Sequence, residues 1–406
     1  MHQHLDASDP WTLEVEWPAF VPASASPAAG NRTARSMTPT ATGTGTHTSR
    51  YPASYLRRWS YAQQRGDGYL SPKPQPWSTA DPDAITHVDY RDLPPIADLL
   101  ARAGYDGHNN AMKSVATRSR SHPLPATGAL PTSVLDAVAR DGLVFFHNVP
   151  TSKGDDYVEL LARRFGHTLR DTFYGPSWDV KVVPASTNVA YTSVFLGLHM
   201  DLMYFEAPPG LQFLHMLRTN VRGGRSLFLD MAHAWQVFAC EAPADEVAVL
   251  QRVPIHYHYA HAHHHHHHHH HHLESGSTPH WLAHAHPLVS SASSSGMFYA
   301  PPFAGPLAPP SPDDVPLWYR AMRRWEDHVR ALPMVEIDLR PGDAVLFHNR
   351  RVLHGRTAFD ADQSQSSPAS ASASEEETKK HVRHLRGTYV GWDEFADRWR
   401  VAQYQK

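Results

Sequence analysis

The chain has 406 residues with 37 Lys and Arg against 40 Asp and Glu, a near balance without the basic footprint that neutralises phosphates, so nucleic acid is excluded as a partner. Its single cysteine, Cys240, excludes an intrachain disulfide and a cysteine-built zinc site, and suits a reducing compartment. No apolar run approaches the ~20 residues that span a bilayer, and the acidic opening MHQHLDASDPWTLEVEW is unlike a signal or transit peptide, so a cytoplasmic protein with no membrane partner is expected.

In chain order, residues 1–50 read as a flexible leader, because 23–49 are small, polar and without apolar periodicity. Residues 51–120 mix aromatics with prolines and read as a small N-terminal lobe with a short helix near Ile96–Ala103. A Pro-rich stretch near Pro123 opens the main domain, 121–406. There Val134, Leu135 and Val138 share a helical face, GLVFFHNV from Gly142 reads as a buried strand, and an amphipathic helix covers Tyr157–Phe165.

Strands then predominate: Asn188–Leu198, Leu211–Leu217, Ser226–Asp230, Met334–Leu339 and Ala344–Phe347 are short, apolar and bounded by Gly or Pro. Between the third and fourth of these, Met322, Trp325, Val329 and Leu332 fall on one face of a helix that packs outside the sheet. The spacing implies a mainly β domain, a barrel or sandwich with flanking helices. Two low-complexity insertions, near 261–278 (with the polyhistidine run His263–His272) and 362–380 (Ser, Ala and Glu), interrupt it as surface loops.

An iron(II) centre that activates dioxygen needs few protein ligands and open positions beside them, which two imidazoles and one carboxylate provide. His199-Met200-Asp201 supplies a compact pair, and His354, in PGDAVLFHNRRVLHGR, returns from a later strand. Among 32 histidines an isolated His-x-Asp arises readily by chance, so the metal reading rests on the ordered set HMD, GGRS, the 341–356 hairpin and a following arginine. His348 lies within its strand and reads as structural. The polyhistidine run reads as an insertion with incidental metal affinity, although a non-catalytic His-rich metal-binding protein is the rival from another class.

The stretches FYGPSW, NVAYTSVFLGLHMD, PPGLQFLHML, GGRSLFLD, NRRVLHGR and RHLRGTY, spread over most of 132–399, resemble the gamma-butyrobetaine dioxygenase branch of the oxygenases related to taurine dioxygenase. The resemblance implies a double-stranded β-helix (jelly-roll) core with Fe(II) on His199, Asp201 and His354. It also implies 2-oxoglutarate as co-substrate, with Arg383 on its distal carboxylate, Arg386 as the neighbouring alternative and Ser226 as a further contact. Looping out 362–380 restores the family spacing between His354 and Arg383.

A quaternary ammonium offers no hydrogen-bond donors, so aromatic faces recognise it. The family's cage positions match Tyr174, Trp178, Tyr191 and Tyr389, and Asn188 matches an asparagine near the substrate carboxylate. The implied reaction is hydroxylation of gamma-butyrobetaine to L-carnitine with dioxygen, ascorbate serving as reductant, in a chain that could act as a homodimer. Trimethyllysine dioxygenase and other taurine dioxygenase-like enzymes are the alternatives. Two features depart from the family: its cysteine-bound zinc cannot form here, and GMFYAPPF places Ala300 and prolines where relatives present a second asparagine.

Overall fold

The computed structural model describes residues 12–17, 47–52, 73–94, 130–152, 156–182, 189–261, 280–290, 296–307, 309, 311–360 and 383–404. The chain divides into two compact units, Met1–Ser71 and Pro72–Lys406. In the first, β1 (Thr12–Trp17) pairs antiparallel with β2 (His47–Pro52). Strand β1 lies within the stretch 1–50 read from sequence as a leader, and β2 crosses its end. TLEVEW alternates apolar and polar residues, the strand period, and the low-complexity run beside it masks that signal. The helix expected near Ile96–Ala103 and both insertions lie outside the described residues.

The second unit begins with β3 (Thr86–Asp89), α1 (Thr132–Asp141), β4 (Leu143–His147), α2 (Tyr157–Ala162) and β5 (Ser177–Lys181). Next come β6 (Leu196–His199), β7 (Leu211–Thr219), β8 (Ser226–Asp230), α3 (Met231–Glu241), α4 (Ala244–Arg252) and the hairpin β9 (Ile255–His261) and β10 (His280–His286). It ends with α5 (Asp314–Ala331), β11 (Val335–Ile337), β12 (Ala344–His348), β13 (Val352–Arg356), β14 (Arg383–Val390) and α6 (Trp392–Tyr404).

Two larger sheets form, in the orders β11-β8-β13-β6 and β3-β4-β12-β7-β14-β5, antiparallel throughout except for β3 beside β4. Alternation decides which side chains meet between them. Val345 and Phe347 of β12 join Phe145, Met216 and Leu385 of the larger sheet and Phe228, Val335 and Val352 of the smaller one in a shared core. The Phe228 ring lies 5.8 Å from that of Phe145 and 5.6 Å from that of Phe347. Ala344 and Leu346 face the other way, onto α1, α2 and α6. Leu229 and Leu353, on the outer side of the smaller sheet, pack under α3, α4 and α5, where Trp325 is fully buried as the helical periodicity of 322–332 anticipates.

The architecture is thus a mixed α/β fold of two packed sheets with helices on their outer faces. The expected strand at Asn188–Leu198 contracts to β6, preceded by a 3-10 turn at Val189–Tyr191, because Thr192 and Ser193 break the apolar run. Helices α3 and α4, unassigned from sequence, follow β8 directly, and the Asp230 carboxylate caps α3 by accepting from Ala232 N at 2.9 Å. Among the described residues no helix is long and apolar enough to cross a membrane.

Three structural histidines make stability depend on pH. Burial lowers His215 to about 4 and His286 to about 4, and holds His348, stacked on Trp392 at 4.1 Å, well below the ordinary imidazole value. The unfolded chain therefore binds more protons than the folded one below pH 6.5, so stability falls with pH from there down to about 4. Going from pH 7 to pH 6 is expected to cost about 2 kcal/mol in total for the three groups. Urea midpoints of metal-free protein that stay equal at these two pH values would contradict this.

Candidate active site

Strand β13 pairs β6 on one side and β8 on the other, and the register sets His354 opposite His199. Their rings lie 4.2 Å apart. Asp201, just past the end of β6, brings Oδ1 to 3.3 Å from His199 Nε2 and 3.8 Å from His354 Nε2. One donor atom from each of these residues lies within 4.8 Å of the others, the single such cluster of three among the described residues. Two imidazole nitrogens and one carboxylate oxygen suit Fe(II) and leave positions open.

Local hydrogen bonds orient these groups. His199 Nδ1 donates to Gly197 O at 2.8 Å, which orients the ring with Nε2 toward Asp201. Asn349 Oδ1 accepts from Asp201 N at 2.9 Å while Asn349 Nδ2 donates to Asp201 O at 2.9 Å, fixing the backbone. Gln212 Nε2 and Tyr389 Oη donate to Asp201 Oδ2 at 2.7 Å and 2.9 Å. Burial acts to raise the Asp201 carboxyl, but the hydrogen bond and charge of His199, the charge of His354 and the Tyr389 hydroxyl outweigh it and hold it well below the usual carboxylate range. Burial and the Asp201 charge keep Tyr389 protonated, hence a donor.

A cavity of about 340 Å³ opens from these three residues. Arg383 lines it, 6% exposed, donating through Nε to Gly224 O at 3.1 Å and through Nη2 to Ser226 Oγ at 3.5 Å. Burial, with Arg356 beside it, lowers Arg383 to about 9. Gly224 has φ +73° in the Gly-Gly turn, and a Cβ there would stand 3.0 Å from the Arg383 side chain, so the turn needs glycine both for its backbone and for room. The chain after β13 is pinned to the same turn. Thr357 N donates to Arg225 O at 2.9 Å, Gly224 N to Ala358 O at 3.1 Å, Phe359 N to Ser193 O at 3.0 Å and Asp360 N to Arg222 O at 3.1 Å.

Tyr174, Trp178, Tyr191 and Tyr389 all line this cavity. Trp178 and Tyr389 stack at 4.1 Å, and Tyr174 lies 6.1 Å from Trp178. Asn188 lies outside the described residues. Arg386 is a correction to the sequence reading: it does not line the cavity. Residues alternate along β14, so Arg383, Leu385 and Tyr389 face inward while Arg386 faces the opposite side. There its Nη1 pairs with Asp179 Oδ1 at 3.0 Å and its Nε with Asp156.

The sequence reading also missed several lining residues. Arg356, two positions after His354 and so on the same strand face, donates to Thr192 O at 2.7 Å and Val194 O at 2.8 Å, holding the turn that carries Tyr191. Period two alone could have located it. Gln212, a polar residue inside the apolar strand QFLHML, was a visible signal left unused. Tyr204, Tyr259 and Phe303 form a second aromatic wall, Tyr204 lying 5.2 Å from Tyr259 and 5.3 Å from Phe303. Tyr259 sits in HYHYAHA, whose histidines draw the eye to the insertion rather than to a strand. Ala300 is fully buried outside the cavity, and its segment reaches the cavity through Pro302 and Phe303.

A family model described as "Taurine catabolism dioxygenase TauD, TfdA family" matches residues 114–389. The dioxygenase str8 of Strobilurus tenacellus is 37% identical over 275 residues, which make up 66% of this chain and 58% of that protein. Gamma-butyrobetaine dioxygenase of Pseudomonas sp. (strain AK-1) is 32% identical over 271 residues, 66% of this chain and 61% of its own. Mitochondrial trimethyllysine dioxygenase of Gallus gallus is 30% identical over 221 residues, 54% of this chain and 50% of its own. The chain thus spans about half to three fifths of the length of these relatives. Among solved structures, a taurine dioxygenase from Burkholderia xenovorans superposes with a TM-score of 0.42 at 16% identity, covering 67% of this chain and 89% of that one. With more than half of its length matched by the family model, this chain belongs to the TauD/TfdA dioxygenase family.

Proposed function

We propose that the Pro72–Lys406 unit is a non-haem Fe(II), 2-oxoglutarate-dependent dioxygenase that hydroxylates a small trimethylammonium compound, with gamma-butyrobetaine, giving L-carnitine, as the first substrate to test. The observation that carries this is one cavity holding a two-histidine, one-carboxylate donor set, a buried arginine without an ion-pair partner among the described residues, and a cluster of tyrosines and a tryptophan. The two packed sheets are read as the halves of a double-stranded β-helix. His199, Asp201 and His354 would hold the iron. Bound together, Fe(II) and 2-oxoglutarate supply the activation of dioxygen, one oxygen atom going to the substrate C–H bond and the other to succinate formed with carbon dioxide.

The chain's own part is positioning. The Arg383 fork, with Ser226 beside it, takes the distal carboxylate of 2-oxoglutarate. Val180, Leu214 and Leu385 add apolar surface to the cavity lining. Tyr174, Trp178, Tyr191 and Tyr389 offer ring faces to the cation. The relatives that act on gamma-butyrobetaine and trimethyllysine support an ammonium-bearing substrate, and trimethyllysine is the second compound to test. The second wall of Tyr204, Tyr259 and Phe303 leaves room for an apolar body attached to the cation.

The test is mass spectrometry of products from a trimethylammonium panel, with Fe(II), 2-oxoglutarate and ascorbate. A mass gain of one oxygen is expected, and no hydroxylated product from any panel member would remove the substrate assignment. Trp178→Ala and Tyr191→Ala are each expected to raise KM about 3- to 30-fold, the equivalent of about 0.5–2 kcal/mol per ring. An uncharged tert-butyl analogue should bind correspondingly worse. Equal binding of that analogue would argue for a merely apolar pocket.

A further inference from the structure

We propose that Tyr389 and Gln212 are positioning residues that hold Asp201 in a one-oxygen binding mode and tie the aromatic wall of the cavity to the metal ligand. This rests on the metal reading given above. Tyr389 on β14 and Gln212 on β7 are direct cross-strand partners, so their side chains stand on one face of the sheet. Both converge on Asp201 Oδ2, at 2.9 Å and 2.7 Å, whereas Oδ1 is the oxygen turned to His199 and His354. Gln212 is 1% exposed. With Asn349 fixing the Asp201 backbone from below, the carboxylate has one oxygen committed to protein donors and one left over.

The division matters because of coordination number. Two imidazoles and one carboxylate oxygen would take three of the metal's positions and leave the others open to a chelating 2-oxo acid and the oxidant. A carboxylate binding through both oxygens would take one of these. Two donors on Oδ2 oppose that mode. Because one donor is the Tyr389 hydroxyl, whose ring stacks on Trp178, a group that displaces this ring also reaches the carboxylate.

The test is an anaerobic titration of Fe(II) into the full-length protein saturated with 2-oxoglutarate. It is read at the visible charge-transfer absorption of the Fe(II)–2-oxo acid chelate, a signal that histidines alone do not give. Tyr389→Phe, which keeps the ring and removes only the hydroxyl, and Gln212→Leu are each expected to raise the half-saturating Fe(II) concentration about 10-fold or more and to shift the band. The double variant should lose more than either. Variants with wild-type half-saturation and an unmoved band would overturn the inference. A wild-type protein without the band would instead overturn the metal reading beneath it. If Gln212→Leu lowers the melting temperature of the metal-free protein, Tyr389→Phe alone decides.

Discussion

Asp201→Ala is expected to abolish 2-oxoglutarate turnover and the Fe(II)-dependent absorption while leaving the fold in place. The carboxylate supplies the sole negative charge of the donor set and sits within 3.3 Å and 3.8 Å of the two histidine nitrogens. Without it two neutral imidazoles remain, so the loss should exceed the ~10–100-fold that outer partners of a metal ligand typically cost. His199→Ala should do the same. The control is deletion of His263–His272, which should reduce total metal uptake but leave turnover intact. Undiminished turnover in Asp201→Ala, or activity lost only with the histidine run, would exclude this centre.

Arg351→Met is expected to produce the largest loss of stability, about 3–5 kcal/mol, because it strands a buried carboxylate. Arg351 is 4% exposed and Asp230 1% exposed. Their contact is a two-pronged fork, Nε to Oδ1 at 3.1 Å and Nη2 to Oδ2 at 2.7 Å. The same guanidinium donates to Arg140 O at 2.7 Å and Gln75 O at 2.8 Å, and Trp77 N donates to Asp230 Oδ2 at 3.0 Å. One residue thus joins the turn between β12 and β13 to the end of β8, the end of α1 and the segment before β3. Urea unfolding of the metal-free protein measures this, and a change below about 1 kcal/mol would mean the pair is dispensable. Pairing the change with Asp230→Asn should recover part of the loss, since the uncompensated charge goes with it.

The three residues of the donor cluster were legible in the sequence because they lie in short, ordered motifs, and the inner strands were legible because both of their faces are apolar. Arg383 was placed ahead of Arg386 by the resemblance alone, not by any local pattern. They differ by three residues, and the strand phase that sends one into the cavity and the other to Asp179 is set by pairing with β7, which no local signal reveals. Strands β9 and β10 were hidden for another reason. Their histidine-rich sequence resembles the adjacent low-complexity run, and only their mutual pairing and the packing of Tyr257 and Tyr259 distinguish them. Helix α5 lay at the other extreme, with Trp325 and Val329 at helical spacing over 18 residues and a partner surface on α4 ready to bury them.

The pinning of Thr357–Asp360 to the Gly-Gly turn, and of β14 along β7, also bears on how such chains diverge. Each end of the connection leaving β13 and entering β14 is held by its own hydrogen bonds, so Arg383 takes its place from the sheet and not from the tether. Residues gained or lost between Asp360 and Arg383 then leave the strand phase unchanged, whereas a single residue gained between Arg383 and Tyr389 would put these two side chains on opposite faces of β14. Distance along the chain from the last histidine to the arginine is therefore a poor signature for relatives, and the parity of the final strand is a good one.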